Sequence, residues 1–210
     1  MIVPLPKRYR ADPSAKFADW VNAGLLRMPS ASIRKVTANN YSVDPAQGTL
    51  DQGTSSVLTP ENAKWRDLTA ALDGLKIVDA RPKPIEMAQD LRSGQMEVSM
   101  ATALALRRFG FLLTQTGRVM ATDGEMTVEM ANGVAYQIRF GDVATTTSDS
   151  AKAAGGDRYL FVTTSWDGAR ATRYGDSSGA GEKASRDLNA RFADWFYVIS
   201  NADFQKLRGK

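Results

Sequence analysis

Two carboxylates come forward first. Asp19 sits in the string Lys16-Phe17-Ala18-Asp19-Trp20, and Asp194 sits in its near-copy Arg191-Phe192-Ala193-Asp194-Trp195. Two carboxyl groups brought within about 5–10 Å of each other can divide acid–base work, one protonating a leaving group while the other activates water. No substrate-binding pattern accompanies either residue, and a solvated acid at a helix end is the plainer reading of both. The repeated string itself reads as chance or as a Phe/Trp anchor of a helix end to a sheet. Trp166 is the third residue to stand out. Trp20, Trp65 and Trp195 fall on apolar faces, whereas Trp166 closes a strand beside Asp167-Gly168, where an exposed indole would serve a ligand or partner. Asp19, Asp194 and Trp166 are the candidate contact residues. No residue is assigned a catalytic, cofactor-binding or metal-ligating role.

Two strings imitate nucleophile motifs. Gly175-Asp176-Ser177-Ser178-Gly179 has the G-x-S-x-G form, but that elbow needs a strand before it, a helix after it and a general base. The string lies in a Gly/Ser loop, and the chain has no histidine at all. Ser32-Ile33-Arg34-Lys35 has the S-x-x-K form, yet the S-D-N and K-T-G partners of that pattern are missing. The chain also has no cysteine. Histidine-based triads, thiol chemistry, disulfides and conventional zinc sites are therefore excluded. An enzyme built from this chain is left with carboxylate, Ser–Lys, Tyr or Arg chemistry.

The charge is less informative than its total suggests. The 210 residues hold 27 Lys+Arg against 23 Asp+Glu, a formal +4. Taking away three bases in residues 1–10, and three bases and one acid in residues 201–210, leaves 21 bases against 22 acids. A nucleic-acid binder gathers its bases on a face of the folded domain; here the excess sits at the tips, and no nucleic-acid partner is expected. No apolar run approaches the roughly 20 residues of a membrane-spanning helix. Met1–Leu5 is too short for a signal-peptide core. The chain as given reads as soluble.

These residues need elements to hold them. Residues 13–28 have helical spacing through Phe17, Trp20, Val21 and Leu25. Ile33–Val43 is β-branched and aromatic and reads as a strand; residues 44–56 read as a loop. The spacing predicts a helix over Thr59–Gly74, with Thr59 as cap, Pro60 in the first turn and Gly74 as a left-handed stop. A strand over 75–80 and helices over 84–92 and 97–108 follow. From Phe111 the period changes to two. Two short strands flank Thr116-Gly117. Then Met126, Val128 and Met130 face Val134, Tyr136, Ile138 and Phe140 across Asn132-Gly133, a strong hairpin signal. Arg158–Ser165 is a further strand, residues 144–157 and 167–183 are loops, and helix 186–193, strand 195–199 and a helix from Asn201 close the chain. The class is α+β: a mainly antiparallel sheet with packed helices, in a smaller α/β portion over 1–94 and a β-rich portion over 95–210 that can be one continuous domain.

A resemblance rests on these motifs. Gly124-Glu125-Met126-Thr127-Val128, Gly133 to Gly141 (GVAYQIRFG), Arg191 to Ser200 (RFADWFYVIS) and Phe204 to Leu207 resemble the DUF4340 family, densest over residues 110–207. The family implies a hairpin of the form G-x-x-Y-x-L-R-F-G, a Y-V-I strand and a closing helix. It implies a domain that follows a membrane helix, faces outside the cytoplasm and accompanies ABC-type transport systems, similar to gliding-motility auxiliary components. It implies no catalytic residue and no cofactor. The chain as given carries no membrane helix, so the expectation is either a piece of a longer anchored protein or a soluble member. The functional expectation is a non-catalytic extracytoplasmic domain in the cell envelope that binds or scaffolds envelope or membrane proteins. A histidine-free hydrolase using Asp or Ser–Lys chemistry is the alternative, and a polyanion-binding module the second alternative.

Overall fold

The alternation after Phe111 fixes the frame of the molecule. Met126, Val128 and Met130 point to one side of their strand and Glu125, Thr127 and Glu129 to the other, so only one of the two registers buries the apolar set. A computed structural model describes residues 26, 28–39, 42–44, 49–51, 55–94, 99–144 and 156–208. Its strands are β1 (Ile33–Asn39), β2 (Ser42–Asp44), β3 (Thr49–Asp51), β4 (Ser55–Leu58), β5 (Ile77–Pro82), β6 (Phe111–Leu113), β7 (Val119–Ala121), β8 (Glu125–Met130), β9 (Val134–Val143), β10 (Arg158–Trp166) and β11 (Trp195–Ile199). Its helices are α1 (Trp65–Asp73), α2 (Ile85–Ser93), α3 (Met100–Arg107), α4 (Gly168–Arg173), α5 (Ala180–Phe192) and α6 (Asn201–Arg208). A single 3-10 turn, Ser30–Ser32, leads into β1.

Seven strands form one antiparallel sheet in the order β4-β1-β8-β9-β10-β11-β5, and β2–β3 and β6–β7 form separate two-stranded pairs. Strands from the first portion of the chain thus lie at both edges, around a centre from the second, and the two portions share one sheet. The β8–β9 hairpin aligns Val128 with Tyr136 and Met126 with Ile138.

Both sheet faces are covered, unequally. On one, Val36, Val128, Tyr136, Ile138, Leu160 and Tyr197 pack beneath α1, α5 and α6 through Leu68, Leu72, Leu188, Phe192, Phe204 and Leu207. On the other, Phe161, Phe196 and Val198 meet Met87 of α2, Leu106 of α3, and Phe111, Val119 and Ala121 of the β6–β7 pair. Each such fully buried large side chain contributes about 1.5–3 kcal/mol. Gly141, the glycine of the R-F-G string, stands where two segments cross. A Cβ there would lie 2.1 Å from the Phe109 carbonyl oxygen and 2.8 Å from the Phe111 ring.

The structure revises several boundaries. Residues 44–56 hold β3 and the first half of β4, whose pairing partners, β2 and β1, lie earlier in the chain. Helix α1 begins at Trp65, after turns in which Asn62 Oδ1 accepts from the Thr59 amide. Gly74 ends it at φ −87°, outside the left-handed region. The 167–183 stretch holds α4 and the start of α5: Asp167 caps α4 by accepting from the Ala169 and Arg170 amides, so glycines that read as loop open two helices instead. Ser200 caps α6 through the Asp203 amide. Of the helix expected over 13–28 only Leu26 and Met28 are described, both buried and neither helical; the first copy of the repeated string lies outside the described residues.

Candidate functional site

Asp194 occupies the corner between α5 and β11, and its surroundings are ionic. Arg92, at the end of α2, donates to its Oδ1. The Asp194 carbonyl accepts from the Lys83 amide at 2.8 Å. The Lys83 side chain then runs inward. Its Nζ donates to the Phe192 carbonyl at 2.7 Å and lies 4.4 Å from the Phe161 ring centroid and 5.3 Å from that of Phe196. Burial disfavours the ammonium and pushes its pKa from 10.5 down to about 7, with the Asp194 charge pulling the other way. A partly neutral amine at neutral pH is what a lysine nucleophile or base requires. This amine is sealed, however. Lys83 is 6% exposed, its one hydrogen bond is to a backbone carbonyl, and two aromatic rings flank it. Lys83 was not legible as a site residue, because Arg81-Pro82-Lys83-Pro84 reads as an exposed joint between strand and helix.

Asp19 lies outside the described residues. Trp166 is half-buried. Its Nε1 donates to the Asn132 carbonyl at 3.1 Å, and its ring packs against the main core. The indole thereby clamps the end of β10 to the β8–β9 turn. Ser177 and Ser178 of the G-x-S-x-G string are exposed, and hydrogen bonds from the Ser178 side chain and from its amide, which donates to Asp176 Oδ1 at 2.7 Å, lower the Asp176 pKa. Ser32 lies in the 3-10 turn, while Lys35 on β1 reaches Glu129 at 3.8 Å.

A second ionic group lies on the less covered sheet face. Glu125, with its side chain 4% exposed, takes Arg118 Nη2 at 3.0 Å and faces Arg139 Nε at 3.7 Å. Arg139 Nη1 donates to Thr163 Oγ1 at 3.0 Å. Beside this group β11 stops pairing with β10 after Leu160, and Asn189 of α5 takes over, closing both backbone groups of Thr164 at 2.7 Å. A cavity of about 260 Å³ opens there, between the sheet, the end of α2 and the β6–β7 turn. A second cavity, of about 330 Å³, lies on the opposite face between α5 and the β8–β9 turn. Neither is lined by Lys83 or Asp194.

The two sheet edges differ. At β5, Pro82 removes a donor and the Asp79–Arg81 pair at 2.6 Å places charge on the rim. At β4 the sequence is Ser-Ser-Val-Leu, with no proline and no charge. Among the described residues only β1 pairs with it in the sheet, and Val57 is 50% exposed. Among the described residues no helix is long and apolar enough to cross a membrane. No family model, no curated protein and no solved structure matches the chain.

Proposed function

We propose that this chain is a non-catalytic binding or scaffold domain of the cell envelope, facing outside the cytoplasm and serving an ABC-type transport system. The observation that carries the binding reading is the β4 edge. Among the described residues it is paired on one side alone, without the proline or charge that guards β5. An extended partner segment can add to such an edge by main-chain hydrogen bonds, with side-chain pockets supplying selectivity. The envelope and transport setting rests on the DUF4340-like motifs alone. Affinity capture of the full-length protein from its native cell tests the proposal, run beside Val57→Lys, which places a charge on the exposed edge. Recovery of envelope or transporter proteins, lost with Val57→Lys, is the expected result. A capture without any membrane or transporter component overturns it.

A histidine-free enzyme is the second reading, and the lowered pKa of Lys83 beside Asp194 is the observation that favours it. Against it stand the seal around the amine and the absence of Lys83 and Asp194 from both cavity walls. Incubation of the protein with an aldehyde and borohydride distinguishes the two. The binding reading expects no reduced adduct on Lys83 in the folded protein.

A further inference from the structure

The cavity beside β10 is built around an ion-pair group rather than lined by chance surface. Arg139, 10% exposed, stands on its sheet wall, and Arg118, 59% exposed, on the β6–β7 turn. Glu125 lies behind them and holds both in place, and Thr163 fixes the Arg139 guanidinium from the other side. Arg118 meets Glu125 through Nη2, and a guanidinium carries five donors in a planar fork. Leu91, Val119 and Phe161 supply an apolar wall next to these donors. Asp90 lies on the far rim.

The charges restrict what fits. Arg118 and Arg139 carry two positive charges, and Glu125 and Asp90 two negative ones. The site is not basic as a whole. Any anion meets Asp90 and Glu125 as well as the arginines, so charge alone gains little, and phosphate has no apolar body to add. A single carboxylate set against Arg118 and Arg139 gains a charge-assisted, geometrically matched contact. An apolar body attached to it covers Leu91, Val119 and Phe161. The volume, about 260 Å³, lies just below the usual range for ligand pockets and suits a small molecule.

We infer that this cavity is a binding site for a small monocarboxylate with an apolar body, held by Arg118 and Arg139 at the carboxylate and by Phe161 and Leu91 along the body. The site stands apart from the β4 edge and does not depend on the partner-binding proposal.

Phenylacetate, its neutral counterpart phenylacetamide and inorganic phosphate test it, each titrated into the isotope-labelled chain and followed by backbone amide resonances. Phenylacetate is expected to shift residues 91–94, 117–119 and 161–164 saturably in the millimolar range. Phenylacetamide and phosphate are expected to act at least tenfold more weakly. Arg118→Gln removes one clamp and weakens phenylacetate at least tenfold. A second pair of variants covers the case in which Arg118→Gln fails to fold. A Cβ at Gly94 meets open space, and Asp and Asn both tolerate its left-handed backbone. Gly94→Asp places a repelling charge at the rim and should weaken phenylacetate, whereas Gly94→Asn should not. The inference is overturned if phenylacetate gives no saturable shift at these residues. It is equally overturned if phosphate or phenylacetamide shifts them as strongly, or if Gly94→Asp and Gly94→Asn bind alike.

Discussion

At Lys83 a lowered pKa coincides with an enclosed amine. Its amine is held by a carbonyl and two rings, and its folded pKa of about 7 lies below the ordinary 10.5. The sign of the linkage follows. Between about pH 7 and 10.5 the unfolded chain binds a proton that the folded chain does not, so folding stability rises with pH across that window. Below about 7 both forms are protonated and the cost of the buried charge is fully present. The slope is at most about 1.4 kcal/mol per pH unit. Burial raises the Tyr174 pKa to about 12 and the Tyr197 pKa well above its ordinary 10.0. Those groups stay protonated when folded, and stability falls as pH passes their unfolded value. Denaturant titrations at intervals from pH 6 to 11 should therefore show stability climbing from pH 7 to a maximum near 10. Lys83→Met should flatten the climb; an unchanged climb in that variant would remove Lys83 as its source.

The contact between α5 and the β8–β9 hairpin turns on Gly181. Exchanging a helical glycine for alanine ordinarily gains up to about 1 kcal/mol. Here a Cβ would lie 2.0 Å from the Asn132 carbonyl oxygen and 2.7 Å from the Trp166 ring. Gly181→Ala should destabilise instead, by about 1–3 kcal/mol as overpacking does, and thermal unfolding measures it. A gain in stability would show that α5 does not approach the hairpin this closely. This contact explains why the hairpin was legible and its cover was not. Asn132-Gly133 and the period of two are local, and they gave β8 and β9 correctly. The six extra residues at the start of α5, and all of α4, were hidden behind Gly168, Gly175, Gly179 and Gly181, which read as loop. Gly181 serves close packing, a distant property that no local pattern reveals.

Across the whole molecule, the α+β class was legible because alternation and helix spacing are both frequent in the sequence. The strand order was not. β1 and β8 are neighbours although β2 to β7 lie between them in the chain, and β5 closes an edge against β11, pairings that only the assembled core selects. The candidate residues divide in the same way. Asp194 and Trp166 stand out by sequence, and both are held in specific contacts, with Arg92 and with Asn132. The β4 edge and the Arg118–Glu125–Arg139 group depend on which strands become neighbours, so neither could be read in advance. We propose that β4 is offered to a protein partner. A photo-cross-linking residue at position 57 of the full-length protein, activated in the native cell, tests it. A discrete adduct with an envelope protein is expected from position 57 and none from position 78 on the β5 edge. No adduct from position 57, or equal adducts from both edges, overturns it.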